Sequence, residues 1–208
     1  MRSNRILILF FHPRFEDSRA NRKLLDAVSA LDNVTVRDMY ELYPDFEIDI
    51  SIEQEYLMAH DVIIWQHPMY WYNCPPLMKQ WLDLVLEYGW AYGKGGDKLS
   101  GKWVMNVLSS AGTFEIYQKE GKNRFTYREL LSPFDQTAFL CEMNYLPPFI
   151  VPGANRITTE DLDRYADKYT EIVRFLQQDN IDVDKLSKAA HFNDFNSNKW
   201  QDQFYKTH

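Results

Sequence analysis

The chain is poor in cysteine: 208 residues carry only Cys74 and Cys141. Two thiols cannot make a disulfide framework, and neither lies in a C-x-x-C or other metal-binding spacing. The expectation is a cytoplasmic protein with reduced thiols and no metal site. Cys74 adjoins Pro75-Pro76 with no base nearby in sequence, which favours packing over nucleophilic chemistry. Glycine is also sparse, with 8 in all. Neither G-x-G-x-x-G nor G-x-x-x-x-G-K-[ST] occurs, so a phosphate is not held here in the standard Rossmann or P-loop way. Long hydrophobic runs are missing. The longest near the start, Ile6 to Phe11, is too short for a signal-peptide core and far short of a membrane span. Cationic charge is in deficit: 23 Lys and Arg stand against 30 Asp and Glu, a formal net charge of −7. That balance argues against a nucleic-acid partner or a basic membrane-surface patch. No Ser-His-Asp set, H-E-x-x-H or paired-carboxylate pattern supports a hydrolase or metalloenzyme.

Aromatic rings, by contrast, are plentiful, with 13 Tyr, 13 Phe and 6 Trp making 15% of the chain. More rings than an ordinary core needs imply a second use for them, a flat ligand or a partner chain. The length suits one domain of the usual ~150 residues with some chain to spare.

Apolar runs at Arg5–Phe11, Asp61–Trp65 and Lys102–Leu108 have strand length and no alternation, as in strands buried on both faces. The β-branched alternation of Asn33–Met39 predicts an edge strand, and Asn144–Val151 a weaker fifth strand limited by Pro147-Pro148. Between them lie helices. Ser18 caps one with Leu24, Leu25, Val28 and Leu31 on one face; Ser51-Ile-Glu-Gln54 has capping-box spacing and opens another through Met58. Pro75-Pro76 starts a third with Leu77, Trp81, Leu84 and Val85 as its buried stripe. A helix over Tyr127–Met143 is interrupted near Pro133, and Thr158-x-x-Asp161 caps the last, which runs to Leu176. Strands alternating with helices predict a parallel α/β sheet with right-handed crossovers. The stretch 177–208 is polar but carries Phe192, Phe195, Trp200, Phe204 and Tyr205, and is expected to wrap the domain or a neighbouring subunit.

In such a sheet, ligands bind beyond the carboxyl ends of the strands where strand order reverses. Three polar loops leave strand ends. The first, His12 to Asn21, ends at a helix N-terminus, where free amides, the Ser18 hydroxyl, the Arg19 charge and the Asn21 amide suit a phosphate; taken alone, it fits an ordinary N-cap better. The second, Gln66 to Cys74, holds Tyr70-Trp71-Tyr72. A planar conjugated ring and a patch covered by the glycine-rich segment 89–101 explain those rings equally well. His67 fits a satisfied loop histidine more readily than a base. The third, Ser109-Ser110-Ala111-Gly112, offers small residues for close backbone approach, and Tyr117 follows as either a ring-edge hydroxyl or a surface tyrosine.

Gln66-His-Pro-Met-Tyr-Trp-Tyr72, Pro75-Pro76-Leu77, Lys79, Trp81-Leu-Asp83, Gly89-Trp-Ala-Tyr-Gly93, Gly95-Gly96 and Leu99-x-Gly-Lys102 resemble the flavodoxin-like NAD(P)H:quinone oxidoreductases. Together with Leu42-Tyr-Pro-Asp-Phe-x-Ile-Asp-Ile50 and Asp17-Ser-x-Ala-Asn21, they resemble most the ancillary proteins of bacterial glutathione-regulated potassium-efflux systems. The resemblance spans about Arg5 to Leu176. It implies a domain over 1–176 with a C-terminal extension over 177–208, and a five-stranded flavodoxin-like parallel sheet of order 2-1-3-4-5 with helices on both faces. It further implies a bound flavin, FMN rather than FAD, reduced by NAD(P)H and reoxidised by a quinone in a homodimer. A regulatory role beside a potassium-efflux transporter, peripheral at the inner face of the cell membrane, is the alternative. The phosphate falls at His12 and Ser18, Arg19, Ala20 and Asn21. The ring falls against Pro68, Met69, Tyr70, Trp71 and Tyr72 and against Ser109, Ser110, Ala111 and Gly112, with Tyr117 as the catalytic hydroxyl. Two departures stand out. Ser109-Ser110-Ala111-Gly112 replaces the usual Thr-Thr-Gly-Gly, and Lys122 and Asn123 occupy the region where some quinone reductases carry a histidine. The aromatic tail residues Phe192, Phe195 and Trp200, with Tyr88, Trp90 and Tyr92, are expected at the subunit boundary.

Overall fold

A computed structural model describes residues 3–194 and 203–205. The first strand, β1 (Ile6–Phe10), shows why its sequence does not alternate. Ile6, Ile8 and Phe10 face one core, Leu7 and Leu9 the other, and all are fully buried. Each such side chain contributes about 1.5–3 kcal/mol of burial, so both faces of the strand are committed. β1 is flanked by β2 (Val34–Asp38) and β3 (Val62–Pro68), and β3 by β4 (Trp103–Ser109). The fifth strand is split by Pro147-Pro148 into β5 (Asn144–Tyr145) and β6 (Phe149–Val151), both parallel to β4. Strand order is β2-β1-β3-β4-β5, with the reversal between β1 and β3.

Helices cover both faces. On one lie α1 (Arg19–Val28) and α7 (Thr159–Leu176). The other carries α3 (Ile50–Ala59), α4 (Pro76–Val85) and the short pair α5 (Tyr127–Leu130) and α6 (Ser132–Leu140). Two one-turn helices complete the set, α2 (Met39–Leu42) and α8 (Val183–Leu186). Ser18 and Thr158 cap α1 and α7 as their spacing predicts, each side chain accepting an amide three residues on. No helix among the described residues is long and apolar enough to cross a membrane.

Three expectations need correction. Ser51 is not the cap of α3: the Asp49 carboxylate accepts the Ile52 amide at 3.1 Å, so Ser51 sits inside the first turn. Gln54, freed from a capping role, donates to Glu87 at 2.8 Å and to the Val85 carbonyl. β3 continues past Trp65 through Pro68, because Gln66 and His67 find buried partners across the layers. Phe192 is not on a subunit boundary: fully buried, it belongs with Ile181, Leu186 and Phe204 to the protomer's own core, and its amide donates to the Pro148 carbonyl beside β6. Tyr205 stacks on Phe175 of α7 at 5.8 Å. Phe195 and Trp200 lie outside the described residues.

Candidate functional site

A cavity of about 600 Å³ opens at the carboxyl ends of β1, β3 and β4, where the strand order reverses. His12, Ser18, Arg19 and Ala20 line one end, Pro68, Met69 and Tyr70 one side, and Ser109, Ser110 and Ala111 the other. The three loops picked out by their strand ends therefore do converge. Arg14, Asp17, Ala154 and Asn155 also line it. Arg14 and Asp17 belong to the loop already singled out. Asn155 follows β6, and applying the same strand-end rule to the fifth strand would have found it.

The α1 end is built for an anion. First-turn amides of a helix have no intrahelical acceptor, and the helix dipole places partial positive charge there. His12 is 7% exposed and accepts the Arg14 amide at Nδ1, 3.2 Å away, which puts its proton on Nε2. Burial lowers its pKa, against an opposing pull from Asp17, so the ring is neutral and a donor at neutral pH. Arg14 pairs with Asp17 at 2.5 Å, and Arg19 reaches the Thr159 hydroxyl at 3.2 Å. Asn21 is fully buried and lies beneath the cavity rather than on its lining. Its amide donates to Ser18 Oγ at 3.0 Å and Ser109 Oγ at 2.9 Å.

The other end is shaped by a braced loop. Ser110 Oγ donates to the Gly112 carbonyl at 2.9 Å and bonds the Tyr127 hydroxyl at 2.6 Å, while the Ser110 amide is tied to Val151. Gly112 does not line the cavity. A Cβ there would meet Ile116 Cδ1 at 2.3 Å and Tyr117 Cε2 at 2.7 Å, so the glycine lets the following turn fold under the loop. Tyr117 also lies off the lining, 7% exposed and stacked on Tyr127 at 4.1 Å. Burial first, then Tyr72, pushes its hydroxyl pKa up, and a hydrogen bond with Asn123 opposes them. Asn123 thus holds the Tyr117 and Tyr72 hydroxyls, the latter at 3.5 Å.

Trp71 and Tyr72 occupy the tip of a turn closed by two bonds between Tyr70 and Asn73, at 3.0 and 2.9 Å. Both have left-handed backbone, φ 47° and 62°, and Trp71 is 92% exposed. They stand outside the cavity mouth and Tyr70 at its edge. Beneath Pro68, a buried chain runs from the Tyr145 hydroxyl to Asn106 Oδ1 (2.6 Å), from Asn106 Nδ2 to His67 Nε2 (3.0 Å), and from His67 Nδ1 to the Pro68 carbonyl (3.0 Å). Complete burial depresses the His67 pKa to about 4, so it is a satisfied neutral residue, seated in β3 rather than in a loop. Cys74 is half-buried, and burial pushes its thiol up to about 11, away from nucleophilic chemistry at neutral pH.

A doubly wound sheet with a helix N-terminus and two strand-end loops meeting in a cavity at its switch point is the architecture of a nucleotide- or flavin-class α/β binding protein. Residues 4–173 match the model of the flavodoxin-like fold, and the chain belongs to that family. It is 44% identical over 167 residues to the glutathione-regulated potassium-efflux system ancillary protein KefG of Enterobacter sp. (strain 638), covering 80% of this chain and 91% of that protein. Among solved structures, general stress protein 14 of Treponema denticola in complex with FMN is 38% identical with a TM-score of 0.78, covering 83% and 99% of the two chains. An NADPH-quinone reductase from P. pentosaceus is 28% identical with a TM-score of 0.75, covering 81% and 97%.

Proposed function

We propose that the chain is an FMN-dependent oxidoreductase that accepts hydride from NAD(P)H and passes two electrons to a quinone-type acceptor. The observation that carries this reading is the cavity itself: donors at one end and flat-sided loops at the other, matching a phosphate and a planar ring in one ligand. The FMN complex of a 38% identical relative supports the same cofactor, without calling on a separate adenine site. Bound FMN would supply the hydride and electron chemistry. The protein's part is to hold, shield and orient. First-turn amides of α1, the Ser18 and Ser109 hydroxyls and His12 Nε2–H hold the phosphate. Pro68, Met69 and Tyr70 flank the ring on one side, Ser110 and Ala111 on the other. Trp71 and Tyr72, exposed at the mouth, stack the planar acceptor as it arrives. Tyr117 braces the Ser109–Gly112 loop from below.

Purified protein should be yellow, bleach when NADH or NADPH is added without oxygen, and regain colour on adding menadione. Protein that binds no flavin, or bound flavin that neither nucleotide bleaches, refutes the reading. NAD(P)H bleaching without menadione recovery leaves an oxidoreductase and refutes the quinone step.

The 44% identity to KefG favours a second role beside it, as an ancillary subunit of a potassium-efflux transporter docked at the inner membrane face. Co-purification with the cytosolic part of such a transporter tests it, and no association in reducing buffer removes it. A homodimer fits the exposed apolar side chains of Tyr88, Phe139 and Leu140, at 69%, 75% and 52% exposure. Sedimentation at micromolar concentration decides this.

A further inference from the structure

We propose that Asn21 is a positioning residue: it does not touch the ligand, but forces the Ser18 and Ser109 hydroxyls to donate into the cavity. This rests on the flavin reading above. The argument is a count of hydrogens. The buried Asn21 amide has two, and spends one on Ser18 Oγ (3.0 Å) and one on Ser109 Oγ (2.9 Å). Ser18 Oγ also accepts the Asn21 backbone amide at 3.3 Å. A hydroxyl has two lone pairs and one hydrogen. Ser18 has both lone pairs filled, so its own hydrogen must go elsewhere; Ser109 Oγ has one lone pair filled by Asn21, so toward Asn21 it receives rather than gives and its hydrogen is left for another acceptor. Both serines line the cavity. The opposite amide orientation would strand two buried N–H hydrogens where a single carbonyl oxygen, Oδ1, now stands without a partner among the described residues.

The result is a pair of O–H donors on two different walls, the start of α1 and the end of β4, held in register by one side chain. Such a pair selects a group that only accepts, the terminal phosphate of the flavin, over one that also donates. Reversing the amide's polarity would reverse the hydroxyls.

The test compares FMN with riboflavin, which lacks the phosphate, by quenching of flavin fluorescence on titration with protein. Asn21→Ala should lower the preference for FMN over riboflavin by about tenfold or more. In a Ser18→Ala/Ser109→Ala background the same substitution should change the preference no further. Asn21→Asp, of equal size but accepting only, should lower it more than Asn21→Ala, and serves if the alanine variant does not fold. The proposal is overturned if Asn21→Ala or Asn21→Asp keeps the wild-type preference, if FMN and riboflavin weaken equally, or if the loss is as large in the double-serine background. Wild-type protein that binds neither flavin overturns the function itself. Wild-type protein that binds FMN with a preference indifferent to Asn21 overturns only this assignment.

Discussion

Substituting Glu53 by Gln should be among the most damaging single-atom changes available in this protein. Glu53 is fully buried between α3, α4 and the sheet. Its Oε1 accepts from Arg37 Nε (3.2 Å), Arg37 Nη2 (2.5 Å) and the Tyr43 hydroxyl (2.8 Å), and its Oε2 from Trp81 Nε1 (3.0 Å). Every neighbour is a donor. Burial, with Glu53 adding to it, pushes the Tyr43 hydroxyl up to about 12, so it stays protonated at any working pH. Arg37, stacked 3.9 Å over the Tyr56 ring, has its pKa raised: burial pulls it down, but the Glu53 carboxylate outweighs that. A glutamine must therefore turn its NH₂ toward Trp81 or toward Arg37, donor against donor, and leaves a buried guanidinium without its counter-charge. Breaking a buried pair from one side costs about 3–5 kcal/mol. In a domain of this size that lowers Tm by roughly 6–20 °C. Urea unfolding followed by tryptophan fluorescence measures it, with unchanged m showing that stability alone has moved. Replacing both partners, Glu53→Gln with Arg37→Met, should cost less than Glu53→Gln alone. A single variant losing under about 1 kcal/mol, against the 3–5 expected for a buried pair, or a double variant worse than the single, would refute the reasoning.

The remaining expectations concern the site and its supports. Because the folded His67 pKa lies below its unfolded value of 6.5, the residue contributes stability that is whole above pH 6.5 and drains away as pH falls toward about 4. His67→Gln, which keeps an acceptor for Asn106, should flatten that part of the pH–stability curve. An unchanged slope in thermal melts from pH 7 to 4 counts against it. Gly112→Ala should displace the Tyr117 ring and weaken FMN binding with little loss of Tm, since the atoms it meets are side-chain tips. Near-UV circular dichroism and a flavin titration check both halves. Left-handed backbone costs a non-glycine residue about 1–2 kcal/mol. Trp71→Gly should therefore leave Tm equal or higher while raising the KM for menadione, and a lowered Tm or unchanged KM speaks against an acceptor-stacking role.

Much of the architecture was legible because each layer leaves a simple trace. Runs such as Arg5–Phe11 that fail to alternate suit strands with two covered faces, and their carboxyl ends point to the cavity. Where the structure departs from the local pattern, the cause lies far along the chain. Nothing local says that Gln66 and His67 continue a strand, since what makes them tolerable there are Tyr169, Asn106 and Tyr145, 39 to 103 residues away. Asp49 and Ser51 are both good caps, and the outcome turned on where the chain enters α3. Asn21 has an amide of the kind that suits a phosphate, and its burial under Ser18 and Ser109 depends on how α1 meets β4. Tyr117 sits off the lining, stacked on Tyr127, a contact that no local pattern announces.

The Tyr70–Asn73 turn has an implication for how this protein can change over time. Its backbone closes on itself through two bonds, and Trp71 at its tip buries little against the rest of the molecule. Exchanging the ring at 71 would therefore alter what is presented to an incoming molecule without disturbing the Ser18 and Ser109 hydroxyls, which are tied together by Asn21 beneath the cavity. If the proposed function holds, acceptor range and cofactor retention would be separately inherited traits, with new acceptors sampled by mutation while the flavin stays in place.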